Sequence, residues 1–258
     1  EVAITGRPAL TEMIWESKVA RPLRTRRVAF ALRNDFVTLA DLHNTPFAFF
    51  PLHTEPEVQI NVCNKLHLNQ IEAARLIARS LPVEWKLVVK EHPWSVGRRP
   101  ASYYRKLLEI PNVLLSYPAI GARDWIVESK LVTVISSSVG FEAAVLGKPV
   151  VSVGHPLFNI LPSHVIRHAS NLEGLSKAIG EILGSYRYDE EALRVYVETV
   201  MKHSIGIDWY SRLLGRPEAY RSDVPKVEGS EGEYLQQIEA LGEYLLLRSD
   251  LIAGFEAR

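Results

Sequence analysis

The sequence predicts an α/β protein with a Rossmann-like parallel sheet and helices on both faces of that sheet. Short apolar runs alternate with helical patterns from residue 46 to about residue 184. The runs are continuous and do not alternate with polar residues, as in strands that are buried on both faces. Strands and helices follow one another singly, which favours right-handed crossovers between parallel strands. Such crossovers place every strand-to-helix loop at one edge, where ligands bind in this fold class.

Five apolar runs are expected to form the strands of this sheet. They cover residues 47–50, 87–89, 113–115, 131–135 and 150–153. Apolar residues three and four apart predict helices between them, over 69–81, 103–108, 124–129 and 140–146. Asn69 is the expected N-cap of the first helix, with Glu72 reaching back to it. Further helices are predicted over 172–183, 190–203 and 234–247.

Three parts are predicted along the chain. Residues 1–45 are a lead-in or the remnant of an N-terminal domain, 46–184 are the Rossmann-like domain, and 185–258 are a helical C-terminal extension. The first residue is Glu1 and not a methionine, so a fragment of a longer protein is one interpretation.

Composition narrows the class of protein. Of 258 residues, 47% are apolar and 23% are charged, as expected for a chain that buries a sizeable core. Thirty basic residues balance thirty acidic ones, so no net charge favours nucleic acid as a partner. No apolar run approaches the roughly 18–20 residues of a membrane span. A single cysteine, Cys63, excludes an internal disulfide, and a cytoplasmic location is expected.

Charge is distributed unevenly between the two ends of the chain. Residues 1–35 carry a net charge of +3, and residues 218–258 carry a net charge of −5. Two interpretations are open: both ends form solvated helical faces, or the basic end touches a membrane surface or an anionic acceptor.

One loop with candidate ligand-binding residues follows the strand predicted at 87–89. It contains Lys90, Glu91, His92 and Pro93. Because a residue before proline is biased towards an extended backbone, Pro93 keeps His92 at the strand end. There the imidazole can donate to a phosphate oxygen, and Lys90 can supply a positive charge. A plain turn is the alternative interpretation.

A second loop follows the strand predicted at 131–135. Its candidate ligand-binding residues are Ser136, Ser137, Ser138, Gly140 and Glu142. Small residues let the backbone approach a ligand, and the free N–H groups of the following helix favour an anion. An ordinary serine N-cap explains one of the three serines. The Glu142 carboxylate either complements the helix dipole or accepts hydrogen bonds from sugar or ribose hydroxyls.

A third loop follows the strand predicted at 47–50. It carries His53, Glu55 and Glu57, an imidazole and two carboxylates within five residues. Such groups can act as a general acid, a general base or a nucleophile, and glycosyl transfer requires a poised carboxylate. These three residues are therefore the candidate catalytic residues, although glutamates are also common in exposed loops.

Four stretches resemble the capsular polysaccharide biosynthesis proteins of bacteria: FPLHTEPE (50–57), NQ (69–70), LPVEWKLVVKEHP (81–93) and SSSVGFEAAVLGKPV (136–150). The resemblance covers about residues 46–155. This family is similar to the Kdo transferases of capsule assembly and, more distantly, to bacterial sialyltransferases, which have the two-domain GT-B architecture. In those enzymes a His-Pro step and a downstream Ser/Thr pair hold the phosphate and nucleotide of a CMP-activated sugar in the C-terminal domain.

The resemblance implies a glycosyltransferase, or its donor-binding domain, that uses a nucleotide sugar, expected to be CMP-linked, in surface polysaccharide synthesis. His92, Ser137 and Ser138 would contact the donor phosphate. Glu57 stands roughly where the Kdo transferases keep an aspartate, with His and Glu here in place of their Gln and Asp. The implied partners are the nucleotide sugar and a glycan or glycolipid acceptor. No cofactor, metal or nucleic acid is expected, and peripheral contact with the inner membrane stays open.

Two other functions are compatible with the same residues. UDP-N-acetylglucosamine 2-epimerases share the fold and a stretch much like residues 146–149, and would prefer uridine nucleotides. The third interpretation is a non-catalytic fragment or divergent relative that binds a sugar or nucleotide, or that binds a partner or a polysaccharide through the arginine-rich lead-in.

Overall fold

A computed structural model describes residues 15–55, 69–92, 95–169 and 174–204, with only the backbone of residues 16 and 17. A π-helical segment, Glu16–Ala20, leads into the first α-helix. The helices are α1 (Arg21–Ala31), α2 (Gln70–Ser80), α3 (Ala101–Leu108), α4 (Ala122–Glu128), α5 (Val139–Val145), α6 (Leu175–Ser185) and α7 (Glu190–His203). The strands are β1 (Phe36–Val37), β2 (Phe47–Pro51), β3 (Lys86–Lys90), β4 (Val113–Ser116), β5 (Leu131–Val134), β6 (Val150–Ser152) and β7 (Ile166–His168).

The seven strands form one sheet in which every described pair is parallel, so the predicted fold class is confirmed. Their order is β1-β4-β3-β2-β5-β6-β7. The chain moves outward from β2 through β3 to β4, then returns to the other side of β2 to form β5. The topological switch point therefore lies between β2 and β5, the position where open α/β sheets bind ligands.

The sheet is covered on both faces, which explains why its strands are apolar throughout. Successive residues of β2 alternate between two cores: Ala48 and Phe50 belong to one, and Phe47 and Phe49 to the other. The first core takes buried residues from α1, α2, α3 and α6, and the second takes them from α4, α5 and α7. A strand buried on both faces cannot carry the alternation of a half-exposed strand.

All five predicted strands are present within one or two residues of their expected ends. The edge strands β1 and β7 were not predicted, because two or three residues are too few to form a periodic signal. The Asn69 cap is confirmed, since its side chain accepts a hydrogen bond from the Glu72 N–H at 3.2 Å. The helix predicted at 234–247 lies outside the described residues, and the predicted domain boundaries stay predictions.

Two compact units divide the chain, residues 1–196 and residues 197–258, and only 197–204 of the second are described. Within the described ranges, none of the helices has the length and apolar character needed to cross a membrane.

Candidate functional site

The loops after β2 and β5 meet at the switch point. His53, two residues beyond β2, is 5% exposed. Its Nε2 accepts a hydrogen bond from the backbone N–H of Ser136 at 3.3 Å. A neutral ring that accepts at Nε2 carries its proton on Nδ1. The contact joins two of the three predicted loops at the position where this fold class binds ligands.

The three serines of the second loop have different surroundings. Ser136 is buried, and its hydroxyl has no hydrogen-bond partner among the described residues. Ser137 Oγ accepts a hydrogen bond from the Val139 N–H at 3.3 Å. Ser138 is the exposed N-cap residue of α5 but makes no side-chain capping bond. One serine is thus sufficient for the start of the helix, and the hydroxyls of Ser136 and Ser138 have no part in capping it.

Gly140 allows α5 to lie directly on the sheet. A Cβ atom at this position would be 2.8 Å from Phe158 Cζ and 2.9 Å from Val134 Cγ2, closer than side chains normally approach. Glu142, two residues further along the helix, is exposed. The glycine has a packing reason of its own, whereas the carboxylate of Glu142 is accessible to a ligand.

The loop after β3 separates its two candidate residues. Lys90 is 4% exposed, and its Nζ donates to the carbonyl of Pro118 at 3.0 Å. Burial lowers the pKa of this lysine. His92 is exposed, and its backbone N–H donates to Glu91 Oε1 at 2.8 Å. The accessible side chain of this pair is therefore the imidazole. Pro93 and Glu57 lie outside the described residues.

A buried ion pair that sequence reasoning missed supports these loops. Arg99 Nη1 donates to both carboxylate oxygens of Glu91, at 2.7 and 2.6 Å, and both residues are buried. The Tyr104 hydroxyl donates to Glu91 Oε2 at 2.8 Å. Burial, followed by the charge of Glu91, raises the pKa of Tyr104, so this hydroxyl remains a donor. Arg99 Nη2 donates to the His53 carbonyl at 2.8 Å, which links the loop after β3 to the loop after β2.

Gln70 also holds the backbone of His53 in place. Gln70 Oε1 accepts from the His53 N–H at 2.7 Å, and Gln70 Nε2 donates to the His53 carbonyl at 3.2 Å and to Glu55 Oε1. Glu55 also pairs with Arg99 Nη2 at 3.1 Å. The Glu55 carboxylate is thus already engaged in holding the loop. A glutamine at an inward-facing helix position is the one sequence signal that could have indicated this network.

A second polar cluster lies at the carboxyl ends of β6 and β7. The rings of His155 and His168 are 5.0 Å apart between centroids. Asn159 Nδ2 lies 3.2 Å from His168 Nδ1 and also donates to the Gly154 carbonyl at 2.9 Å. Ser152 Oγ donates to Asn159 Oδ1 at 2.6 Å. Because the amide nitrogen is a donor, Nδ1 of His168 accepts, and the ring presents its proton on Nε2.

These groups are arranged along one edge of the sheet. The ends of β3 and β2 are level, since Lys90 pairs with Pro51, and β2 pairs with β5 at Phe49 and Val132. Neighbouring strands are about 4.8 Å apart, so the loops after β3 and β5 start about 10 Å from each other. The His53 loop lies between them. An imidazole side chain and a phosphate group together can span such an interval.

Comparison with known proteins defines the family. Residues 25–162 match the family described as "Capsule polysaccharide biosynthesis protein". This match extends over more than half of the 258 residues and includes the loops after β2, β3 and β5. The chain therefore belongs to the family of capsule polysaccharide biosynthesis proteins. No match was found among curated proteins.

Solved structures provide more distant similarities. A beta Kdo 2,7 transferase, KpsC of Thermosulfurimonas dismutans, is 16% identical with a TM-score of 0.42, over 74% of this chain and 66% of that one. The beta Kdo 2,4 transferase of the same KpsC is 18% identical with a TM-score of 0.41, over 70% and 60%. The UDP-GlcNAc 2-epimerase of Neisseria meningitidis is 17% identical with a TM-score of 0.39, over 74% and 52%. The chain thus spans about two thirds or less of the length of these proteins.

Proposed function

We propose that this chain is a glycosyltransferase, or the donor-binding part of one, that uses a CMP-linked sugar in the synthesis of a surface polysaccharide. The observation that carries the proposal is the 3.3 Å hydrogen bond between Ser136 N–H and His53 Nε2. It joins two loops of a capsule polysaccharide biosynthesis protein at the switch point of a parallel sheet.

Each residue of the site has a distinct part in this proposal. The His92 imidazole and the hydroxyls of Ser136 and Ser138 bind the donor phosphate, because His92 and Ser138 are exposed and the Ser136 hydroxyl has no hydrogen-bond partner among the described residues. Glu142 accepts hydrogen bonds from the ribose hydroxyls. His53 is a positioning residue, since its ring is buried and holds the serine loop.

Glu57 is proposed as the carboxylate that takes part in the chemistry. Glu55 in the same loop pairs with Arg99 and Gln70, so its carboxylate is occupied in holding the loop. Replacing Glu57 by glutamine is therefore expected to abolish sugar transfer while leaving nucleotide affinity unchanged. Glu55→Gln is expected to weaken both properties because the loop is displaced.

Titration calorimetry of the full chain with CMP, UMP and GMP tests the donor site. We expect CMP to bind most tightly and His92→Ala to weaken it about tenfold or more, the value of a hydrogen bond to a charged group. His43→Ala is the matched control: His43 is exposed and precedes β2, so it lies at the opposite edge of the sheet. This control is expected to leave CMP affinity unchanged.

Ser136→Ala separates binding from folding. The Ser136 hydroxyl has no hydrogen-bond partner among the described residues, so its removal is expected to leave the melting temperature unchanged. The same substitution is expected to weaken CMP binding about tenfold or more. Absence of any nucleotide binding in the wild-type chain contradicts the proposal. Tighter binding of uridine nucleotides, with turnover of a UDP-sugar in the absence of an acceptor, assigns the chain to the epimerase class instead.

A further inference from the structure

The outward face of α1 carries an apolar stripe. Leu23 is 47% exposed and Phe30 is 70% exposed, although both are large apolar residues. At about 100° per residue, positions seven apart lie only about 20° from each other around a helix, so the two side chains lie on the same face, about two turns apart. Val28 and Leu32 lie on the opposite side and are buried against the sheet. The helix therefore has two apolar sides, and among the described residues only one of them is covered.

Arginines border the exposed stripe on both flanks. The same geometry places Arg26 about 40° from Phe30 on one flank and Arg27 about 60° away on the other. Arg33 lies on the Arg26 flank, where its guanidinium is 4.3 Å from the centre of the Phe30 ring. All three arginines are exposed. Residues 15–34 carry six basic side chains and one acidic side chain, a net charge of +5.

We propose that this face of α1 docks on an anionic lipid surface. Leu23 and Phe30 would enter the interfacial layer, and Arg26, Arg27 and Arg33 would contact lipid phosphates beside them. An apolar stripe with cationic flanks is the arrangement by which amphipathic helices lie in a membrane interface. Trp15, which precedes the helix and is 61% exposed, adds an aromatic residue of the type enriched at such interfaces.

The inner side of α1 is attached to the loop that follows β3. Arg24 Nε donates to the Gly97 carbonyl at 3.1 Å, and Thr25 Oγ1 donates to the Val96 carbonyl at 3.3 Å. Gly97 has a φ of +81°, and a Cβ there would lie 2.2 Å from Thr25 Oγ1, so only glycine allows this approach. The same loop carries Arg99, which holds His53. A lipid-bound α1 would therefore hold this loop, and with it the candidate site, close to the membrane.

The acidic segment 218–258 of the same chain, with its net charge of −5, is a second candidate to cover this face, because its charge is opposite to that of the arginines. The lipid surface is the better match because the centre of the face is apolar. An acidic segment would neutralise the arginines and leave two large apolar side chains to be covered. This inference rests on α1 alone and holds whichever nucleotide the chain binds.

Co-sedimentation of the full chain with vesicles tests the inference. We expect binding to phosphatidylcholine vesicles that contain phosphatidylglycerol and not to phosphatidylcholine alone. Two double variants, Leu23→Ser with Phe30→Ser and Arg26→Glu with Arg27→Glu, should each weaken binding about tenfold or more. The matched control is Arg105→Glu with Lys106→Glu, an adjacent exposed basic pair in the last turn of α3. It should bind as the wild type does.

Melting temperature and CMP affinity, measured on the same variants, separate this inference from the donor site. Both should be unchanged, because the substituted side chains are exposed. Equal binding by the wild type and by both α1 variants overturns the inference. Failure of the wild type to bind anionic vesicles also overturns the inference. If vesicle binding then appears when the acidic residues of 218–258 are replaced by glutamine, that segment, and not lipid, is assigned to this face in the wild type.

Discussion

At the level of single residues, Arg99 has three partners in two loops, and the loop after β2 is distant from it in the sequence. It pairs with Glu91 in the loop after β3 and contacts the carbonyl of His53 in the loop after β2. It also pairs with Glu55. A guanidinium can serve all three because its donors point in fixed directions in one plane. The position of the His53 ring, and hence of the serine loop, depends on this one side chain.

Substitution of Arg99 is expected to be strongly destabilising. Arg99→Met leaves the Glu91 carboxylate buried without its partner, which costs about 3–5 kcal/mol in the free energy of unfolding. Arg99→Lys should recover only part of this because an ammonium cannot form the same paired bonds. Urea denaturation measures both. The control is Arg75→Met, which removes an exposed pair with Glu72 and should cost less than about 1 kcal/mol. Equal losses at the two positions would refute this role for Arg99.

The second prediction at this scale concerns the ring of His168. Burial, followed by the proximity of His155, lowers its pKa below the ordinary value of 6.5. The neutral ring is thus favoured in the folded state, and this contribution to stability is lost as the pH falls below about 6.5. His155→Gln should raise the pKa of His168 part of the way, since burial remains.

Ring nitrogen chemical shifts in an NMR titration measure this pKa and identify the tautomer. At neutral pH we expect His168 to be protonated on Nε2, because Nδ1 lies 3.2 Å from the amide nitrogen of Asn159. His43→Gln serves as the control and should leave the titration of His168 unchanged. A His168 pKa at or above 6.5 in the wild type is the result that contradicts the prediction.

At the scale of elements, the packing of α5 on β5 depends on Gly140. A methyl group there would meet Phe158 and Val134 at less than 3.0 Å. Gly140→Ala is therefore expected to destabilise the fold by about 1–3 kcal/mol, and Phe158→Leu in the same chain should recover part of the loss. Thermal denaturation measures both variants.

Gly180→Ala in α6 is the matched control for this substitution. Gly180 is exposed, and a Cβ atom there would have no heavy atom within 4 Å apart from its chain neighbours and the backbone of its own helix. Alanine at such a helical position should stabilise the protein by about 0.5–1 kcal/mol through helix propensity. The same chemical change is thus expected to have opposite signs in α5 and α6. A stabilising effect at Gly140 would contradict the close packing of α5.

At the scale of the whole molecule, the order of the strands predicts how protection from hydrogen exchange is distributed. β2 has a neighbour on each side and five buried residues, whereas β1 is a two-residue strand at the edge. Amides of residues 48–50 should exchange only through global unfolding, and those of β1 through local opening. Native-state exchange followed by mass spectrometry measures the difference. Similar protection of β1 and β2 is the outcome that excludes this distribution.

Much of the fold follows from signals that extend over a few residues. The apolar runs at β2, β3, β5 and β6 predict buried strands because burial on both faces requires continuous apolar sequence. Asn69 predicts a helix start because its side chain can satisfy an N–H group only three residues away. The handedness of crossovers then places the loops containing His53, His92 and Ser136 at one edge of the sheet.

By itself, the sequence determined the fold class, the order of elements and the edge at which the candidate residues meet. Only the tertiary structure decided that β2 and β5 are neighbours, that Lys90 is buried, and that Glu55 is engaged by Arg99. The physical reason is the distance along the chain over which each effect acts. Propensity, capping and periodicity act between residues that are close in the sequence. Strand order and ion pairing depend on contacts between distant segments, such as Glu55 with Arg99, which no local pattern encodes.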